Sequence, residues 1–242
     1  MPRKTSPPKL GTLHDDLAGY ILGLATESKV SPSTNKISNR LLDQWLNKLK
    51  LSATNKKFNA LSSNVVSFHQ DEEAQMIELE NLKITPQIVD VLNKKIKKPD
   101  LILSIILRNI TFKNEDTRNK FEELLKRFKN VSMVEYDKVD FGDHIFLNSK
   151  KLIDIKIKNS TLSKILIMKF KPVLFDTASL ERVSFIGNDV DDYFYTHTFY
   201  EGRIDKDNIM LRNHQRNIQM PPVLLNIQGN TDSKGNIIDF AK

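Results

Sequence analysis

Side chains that could support catalysis or metal binding are scattered along this 242-residue chain. No histidine has a second metal-ligating residue three or four positions away on an evident helix; the five are His14, His69, His144, His197 and His214. The absence of cysteine removes disulfides, thiolate catalysis and Cys-ligated zinc. Dinucleotide, Walker, nucleophile-elbow and zinc-protease motifs are also absent. These observations predict a protein that is not an enzyme and has no cofactor, no metal and no small-molecule substrate.

Two clusters leave a functional interpretation open. The first could hold Ca²⁺ or Mg²⁺ but lacks the glycine and terminal glutamate of an EF-hand, so a solvated loop is favoured; it comprises Asn188, Asp189, Asp191 and Asp192. The second is the aromatic stretch 193–200 around His197. It could be a binding patch with a titratable centre, but ring packing at the end of the fold is the favoured interpretation.

A repeated pattern begins near residue 74 and indicates which elements must position any functional surface. Four segments share an apolar-x-apolar-x-Asn pattern: Ile77–Asn81, Ile105–Asn109, Ile155–Asn159 and Ile209–Asn213. Two degenerate versions occur at Val134–Lys138 and Val183–Gly187. The units recur at roughly the 20–29-residue period of leucine-rich repeats.

The alternation places two apolar side chains on one face of a short strand, and the Asn suits a hydrogen-bonded ladder where the chain leaves the strand. Apolar residues at helical spacing follow several strands, with Thr85-Pro86 as one helix start. The sequence therefore predicts an α/β fold: a short, irregular leucine-rich-repeat solenoid of parallel strands with helical returns. The alternative is an ordinary α/β domain whose parallel strands resemble one another.

The spacing of the Asn is unusual. In the common leucine-rich repeat the Asn follows the last Leu by three positions, whereas here it mostly follows by two. Only the segment Leu180–Val190 keeps the common spacing, with its Asn at position 188. Irregular turn geometry is the expected consequence.

Four regions are predicted along the chain. Residues 1–12 form a disordered basic tail, and residues 13–62 form a helical N-terminal region or cap. In the latter, Ser38 is a candidate N-cap for a helix that buries Trp45. Residues 63–220 form the leucine-rich-repeat-like domain, and residues 221–242 form a C-terminal tail.

The segments Ile155–Ser163 and Leu180–Phe185 resemble the divergent leucine-rich repeats in the F-box-associated regions of nematode F-box proteins. The resemblance covers about residues 74–215; an F-box is not evident in residues 1–60. In that family the F-box binds the Skp adaptor of a cullin ubiquitin ligase and the repeats capture substrate. The resemblance therefore implies an adaptor or substrate-recognition role in protein binding.

The repeat register also predicts which strand side chains point away from the core. Five acids and five bases occupy these outward positions, with the acids concentrated in the first three units and the bases in the last three. A two-signed face with apolar anchors fits a protein partner better than a polyanion. The predicted partner-binding residues are Glu78, Glu80, Ile106, Arg108, Met133, Glu135, Lys156, Lys158, Arg182 and Ile186.

The net charge of +7 leaves nucleic-acid binding as the alternative function. It would use basic residues on the helical side, such as 94–98 and 126–129, together with the N-terminal tail. No apolar run has the roughly 20 residues of a membrane span, and no secretory signal is evident. A cytoplasmic or nuclear location is expected.

Overall fold

The computed structural model describes residues 36–54, 74–147, 149–191, 203–204, 209–213 and 219–238. Over these residues the chain is an α/β structure with parallel strands, so the predicted α/β class is confirmed. The predicted basic tail, the histidines at 14, 69, 197 and 214, and the aromatic stretch 193–200 lie outside the described residues.

The described part of the chain contains four α-helices and thirteen short to medium strands. The helices are α1 (Asn39–Thr54), α2 (Pro86–Lys95), α3 (Glu115–Leu125) and α4 (Lys164–Asp176). The strands are β1 (Lys36–Ser38), β2 (Met76–Ile84), β3 (Ser104–Phe112), β4 (Met133–Val139), β5 (Asp154–Lys158), β6 (Thr161–Leu162), β7 (Arg182–Ile186), β8 (Asp189–Val190), β9 (Arg203–Ile204), β10 (Ile209–Asn213), β11 (Gln219–Gln228), β12 (Asn230–Thr231) and β13 (Ile237–Ile238). A 3₁₀ turn spans Pro99–Leu101.

Nine strands form the main sheet in the order β1-β2-β3-β4-β5-β7-β11-β10-β9. The first seven are parallel, and the last two run antiparallel to their neighbours. A smaller sheet has the order β13-β12-β8-β6. Parallel neighbours need a crossover connection, and α2, α3 and α4 supply it between β2 and β3, β3 and β4, and β5 and β7.

One face of the main sheet builds the core with the helices. Leu79, Leu107, Tyr136, Ile157 and Phe185 lie in register on neighbouring strands and are fully buried. Apolar residues of the helices complete the same cluster. Because side chains alternate along a strand, the residues between these positions project from the opposite face, which is called the open face below.

Each crossover helix begins with a side chain that satisfies a free backbone N–H. Thr85 Oγ1 accepts from the N–H of Ile88 at the start of α2, where Pro86 occupies the first helical position. Asn114 and Ser163 cap α3 and α4 in the same way.

The N-terminal region contains the predicted helix and an unpredicted strand. The helix α1 begins at Asn39, directly after Ser38, and buries Leu42 and Trp45. The sequence places Lys36–Ser38 in the N-terminal helical region, but the segment pairs with Met76–Glu78 as the edge strand of the sheet. Three residues carry too little periodicity to reveal a strand.

The last of the seven parallel strands is β11, and its position corrects two predictions. Residues 224–228 pair in parallel with β7, so the sheet continues beyond the boundary predicted at residue 220. The segment Ile209–Asn213, predicted as the sixth repeat strand, is β10 and runs antiparallel to β11. Only residues 214–218 separate β10 from β11, too few for the crossover that parallel neighbours need.

The connection between β4 and β5 contains no helix among its described residues, 140–147 and 149–153. Aromatic side chains fill this part of the core. Phe146 packs against Phe112, Phe121 and Phe141 with ring centroids 5.2–5.6 Å apart. The buried Tyr136 hydroxyl donates to the Phe146 carbonyl at 2.5 Å, and burial raises the pKa of this phenol. The short spacing of this unit is therefore accommodated by rings instead of a helix.

The recurrent Asn marks a left-handed backbone position, which lies inside β2 and β3 and directly after β5. Asn81, Asn109, Lys138 and Asn159 have φ between 48° and 54°, and Gly187 and Gly229 have φ of 62° and 60°. Asn and Gly tolerate this conformation better than other residues. Conformation thus explains the recurrence, and the side-chain bonds observed are lateral ones: Asn109 donates to Asn81 and Asn159 donates to Asp137, both at 2.8 Å.

A ladder of side chains that accept hydrogen bonds from backbone N–H groups does exist, one residue after the left-handed position. The N–H of Val139 donates to Ser160 Oγ, the N–H of Ser160 to Asn188 Oδ1, and the N–H of Asn188 to Asn230 Oδ1, at 2.9–3.1 Å. The amides of Asn188 and Asn230 donate in turn to the carbonyls of Ile157 and Phe185. Asn188, the residue that keeps the common repeat spacing, is therefore the central member of the ladder.

Candidate functional site

The open face presents three rows of side chains that cross the parallel strands. The first row begins at Lys36 and continues through Met76, Ser104, Met133, Asp154, Arg182 and Leu224. The second contains Glu78, Ile106, Glu135, Lys156, Ser184 and Asn226, and the third Glu80, Arg108, Asp137, Lys158, Ile186 and Gln228. All ten predicted partner-binding residues therefore lie on this face.

A chain of ion pairs runs across five strands of the open face. Glu78 is paired with Lys36 and accepts from Arg108 Nη1 at 2.6 Å. Arg108 also lies 3.7 Å from Glu135. Glu135 accepts from Lys158 at 3.1 Å and lies 3.9 Å from Lys156. The charges predicted to contact a partner are thus largely bonded to each other.

These pairs change the electrostatics of the carboxylates. The hydrogen bond from Lys36, together with that from Arg108, holds the pKa of the Glu78 carboxyl below its ordinary value, although partial burial opposes the shift. The bond to Glu78 raises the pKa of Arg108 in return. The acid side chains are also interleaved with bases, because Lys36 and Arg108 flank Glu78. The sequence predicted acids in the first three units and bases in the last three. Lys36 adds a base at the acidic end, so the two kinds of charge are less separated than predicted.

The predicted apolar anchors differ in exposure. Ile106 is only 8% exposed because it lies in register between Glu78 and Glu135, beneath the ion-pair chain. It cannot serve as a protruding anchor, which corrects that prediction. Met133 and Ile186 are partly exposed. Leu224 on β11 is 50% exposed and was missed because it falls in the region predicted to be a tail.

A signal for this missing strand exists in the sequence. Phe185-Ile-Gly187-Asn188 on β7 and Ile227-Gln-Gly229-Asn230 on β11 have the same spacing of apolar residue, glycine and asparagine. The left-handed glycines and ladder asparagines coincide in the structure. A search for Gly-Asn after an alternating apolar pair would have identified β11 as a parallel strand.

Two charged residues among the ten predicted partner-binding residues, Arg182 and Glu80, lie outside the ion-pair chain. Arg182 Nε donates to Asp154 at 3.1 Å, with the arginine side chain 55% exposed. Glu80 is exposed, and its backbone N–H donates to Asn39 Oδ1 at 3.1 Å. Ten predicted residues thus share one surface, and most of the charged ones have intramolecular partners.

His144 and Asn188, two candidate functional residues among the described ones, form contacts within the fold. The described residues contain no grouping of three His, Asp or Glu side chains suited to a metal ion. Asn188 of the acidic cluster is buried in the ladder. His144 is also buried, with Nδ1 and Nε2 each 2.5 Å from the carboxylates of Glu122 and Glu115. The imidazole therefore joins the 140–147 connection to α3, and its bond lowers the pKa of Glu115.

No protein-family model, curated protein or solved structure matches this chain. Among the helices of the described residues, none has both the length and the apolar character needed to cross a bilayer. The geometry of the open face is therefore the basis for a functional conclusion.

Proposed function

We propose that this chain is a non-catalytic adaptor protein, built as a short, irregular leucine-rich-repeat solenoid, which binds a protein partner through the open face of its sheet. A substrate-recognition role related to F-box proteins is the particular form that the sequence resemblance implies. The supporting observation is the composition of the open face. Its charged side chains are mostly neutralised by one another, and partly exposed apolar side chains lie among them.

Internal neutralisation favours protein binding through this face because a paired surface attracts polyanions weakly. A protein interface instead needs an apolar centre and a polar rim. On the open face, Ile186 and Leu224 lie on adjacent strands β7 and β11, beside the uncharged Ser184 and Asn226. Apart from Arg182, which is in register with Leu224 and pairs with Asp154, this part of the face is uncharged. It is the proposed centre, and the ion-pair chain forms its rim.

The test uses two matched pairs of apolar-to-charged substitutions. Ile186→Lys with Leu224→Lys places charges at the proposed centre. Ile165→Lys with Met168→Lys does the same on the outer side of α4, where the side chains are 49% and 54% exposed. Affinity purification of the full chain from its native source, followed by mass spectrometry, should show partners that are lost with the first pair and retained with the second.

The opposite result, with partners lost only when α4 is changed, would overturn the proposal. Reversing Lys156 and Lys158 to glutamate is a less specific test of the same face. Both lysines pair with Glu135, so reversal would gather three carboxylates and destabilise the sheet. Lys156→Gln with Lys158→Gln avoids that repulsion, and thermal unfolding monitored by circular dichroism verifies that the variants fold.

A further inference from the structure

Basic residues cluster at the edge of the sheet where the parallel strands begin. Three connections lead into β3, β4 and β5 and are called the amino edge: residues 96–103, 126–132 and 149–153. They contain seven bases and one acid, Asp100. The bases are Lys97, Lys98, Lys126, Arg127, Lys129, Lys150 and Lys151.

Hydrogen bonds between the connections hold these residues side by side. Asn130 donates to the Asp100 carbonyl at 2.8 Å and accepts from Lys151 at 2.8 Å. Ser149 donates to the Lys129 carbonyl at 3.0 Å. Arg127 reaches back to the Ile96 carbonyl at 3.2 Å. The amino edge is therefore one continuous surface and not three separate loops.

The charge state of this edge differs from that of the open face. Lys97, Lys129 and Lys150 are exposed, and none of them forms an ion pair within the described residues. Lys126 does pair with Glu123 of α3. Lysines near a helix C-terminus interact favourably with the helix dipole. Lys150 and Lys151, however, follow a connection whose described residues contain no helix. The capping of helices therefore does not account for the whole cluster.

Apolar side chains lie beside these cations. Leu101 and Leu103 are 36% and 42% exposed. The Leu103 carbonyl accepts from Ser132 and Met133, which places Leu103 at the margin of the open face. Met133 and Ile153 are partly exposed next to it. The amino edge thus combines an apolar strip with a row of cations.

From this combination we infer that the amino edge binds an acidic segment of a protein partner whose carboxylates alternate with apolar side chains. The inference rests on the proposed protein-binding function and names the chemistry of the segment. Nucleic acid fits less well, because the single aromatic residue of the amino edge, Phe128, is 1% exposed and offers no stacking surface for bases. Leucine and isoleucine side chains also gain nothing from phosphates.

A displayed library of 16-residue peptides, selected on the full chain, provides the test. The peptides that the chain selects, called the winners below, should be rich in Asp and Glu together with Leu, Ile or Phe. Fluorescence anisotropy of one labelled winner should show at least about tenfold weaker binding to the Lys129→Glu, Lys150→Glu variant. The matched control is Lys83→Glu with Lys113→Glu, two exposed lysines at the opposite edge of the sheet, which should bind as the native chain does.

Two further probes separate the contribution of apolar contacts to peptide binding from that of charge. The winner with its apolar residues changed to serine, and a Leu103→Ser variant of the chain, should each bind more weakly by a similar factor. A 16-nucleotide oligouridine should bind more weakly than the winning peptide at 150 mM salt, where surface charge alone is largely screened beyond about 8 Å. Tighter binding of the RNA, or equal binding of the serine peptide, would overturn the inference.

The outcome also distinguishes the inference from the proposed function. Winners without acidic residues, sensitive to Ile186→Lys with Leu224→Lys but not to the amino-edge variant, would reject the inference and leave the proposed function standing. A chain that selects no peptide and loses no native partner in any open-face variant would reject both.

Discussion

The two halves of the parallel sheet keep their polar interactions in different places. From β1 to β4, ion pairs cross the open face, and the residues after the left-handed position are apolar: Leu82, Ile110 and Val139. From β5 to β12, the same position holds the buried polar residues Ser160, Asn188 and Asn230. The open face of β7 and β11 has no acid at the register positions aligned with Glu78 and Glu80.

The difference follows from how the strands end. In the first half, β2 and β3 continue pairing past the left-handed residue, so backbone groups satisfy one another and an apolar side chain can be buried. In the second half, each strand stops at that residue and a separate short strand follows in the smaller sheet. The backbone N–H groups exposed by this break need side-chain acceptors, which the ladder supplies.

The largest expected effect comes from replacing the central ladder residue by the kind of residue found in the first half. Asn188→Leu leaves the buried Ser160 N–H without its acceptor and removes a donor from the Ile157 carbonyl, so we expect a loss of about 3 kcal/mol in unfolding free energy. Ile110→Leu, at the equivalent position of β3, should cost less than about 1.5 kcal/mol. Urea denaturation of both variants measures the contrast, and equal losses would contradict it.

The left-handed glycines provide a second contrast, between two positions of the same half. Gly187→Ala should cost about 2 kcal/mol, since φ is +62° and the added Cβ would lie 2.8 Å from Asn159 Oδ1. Gly229→Ala has the same backbone strain but no neighbour within 4 Å, so about 1 kcal/mol is expected. Melting temperatures of the two variants report the difference, and a larger loss at 229 would show that contact with Asn159 is unimportant.

A stabilising substitution is expected in the first half. Lys138 has φ of 54°, a conformation that Asn adopts more readily than Lys. Lys138→Asn should therefore raise the unfolding free energy by about 0.5 kcal/mol, a fraction of the 1–2 kcal/mol cost of left-handed backbone. Lys113→Asn, an exposed change of the same charge, is the control for lost positive charge. A gain of the same size in the control would assign the effect to charge.

The smallest expected effect concerns the pH dependence of the ion-pair chain. The pKa of Glu78 is lowered in the folded state, so its contribution to stability is present above the unfolded pKa of about 4.3 and is lost as pH falls through the folded pKa. Between pH 5 and pH 3, the native chain should lose more stability than Glu78→Gln, by about 0.3 kcal/mol. Parallel pH profiles for the two chains would show that the Glu78 pairs do not contribute.

Periodicity was sufficient for the parts of the fold that depend on neighbouring residues along the chain. The alternation at Ile77 and Leu79, or Ile155 and Ile157, predicts which side chains enter the core, and these residues are buried. Thr85-Pro86 likewise predicts the start of α2. The same register placed all ten candidate residues on one face, because side-chain direction in a strand depends only on position.

The burial of a strand side chain and the direction in which a strand pairs could not be predicted in this way. Alternation directs Ile106 outward, but its burial depends on Glu78 and Glu135 from two other strands. The pattern of β10 matches that of the parallel strands, and only its short connection to β11 sets its direction. The ion-pair chain likewise joins residues that are 21 to 42 positions apart.

The α/β class, the strand period and the recurrent left-handed position follow from local preferences that each segment carries alone: alternation, helix capping, and tolerance of Asn or Gly for positive φ. The net charge of +7 is also a property of the sequence, but the sequence does not show which of the charges are paired within the fold. Lateral stacking of the strands pairs the cations of the open face with carboxylates and brings seven bases together with a single acid at the amino edge. Contacts between distant segments therefore decide which charges remain available to a partner.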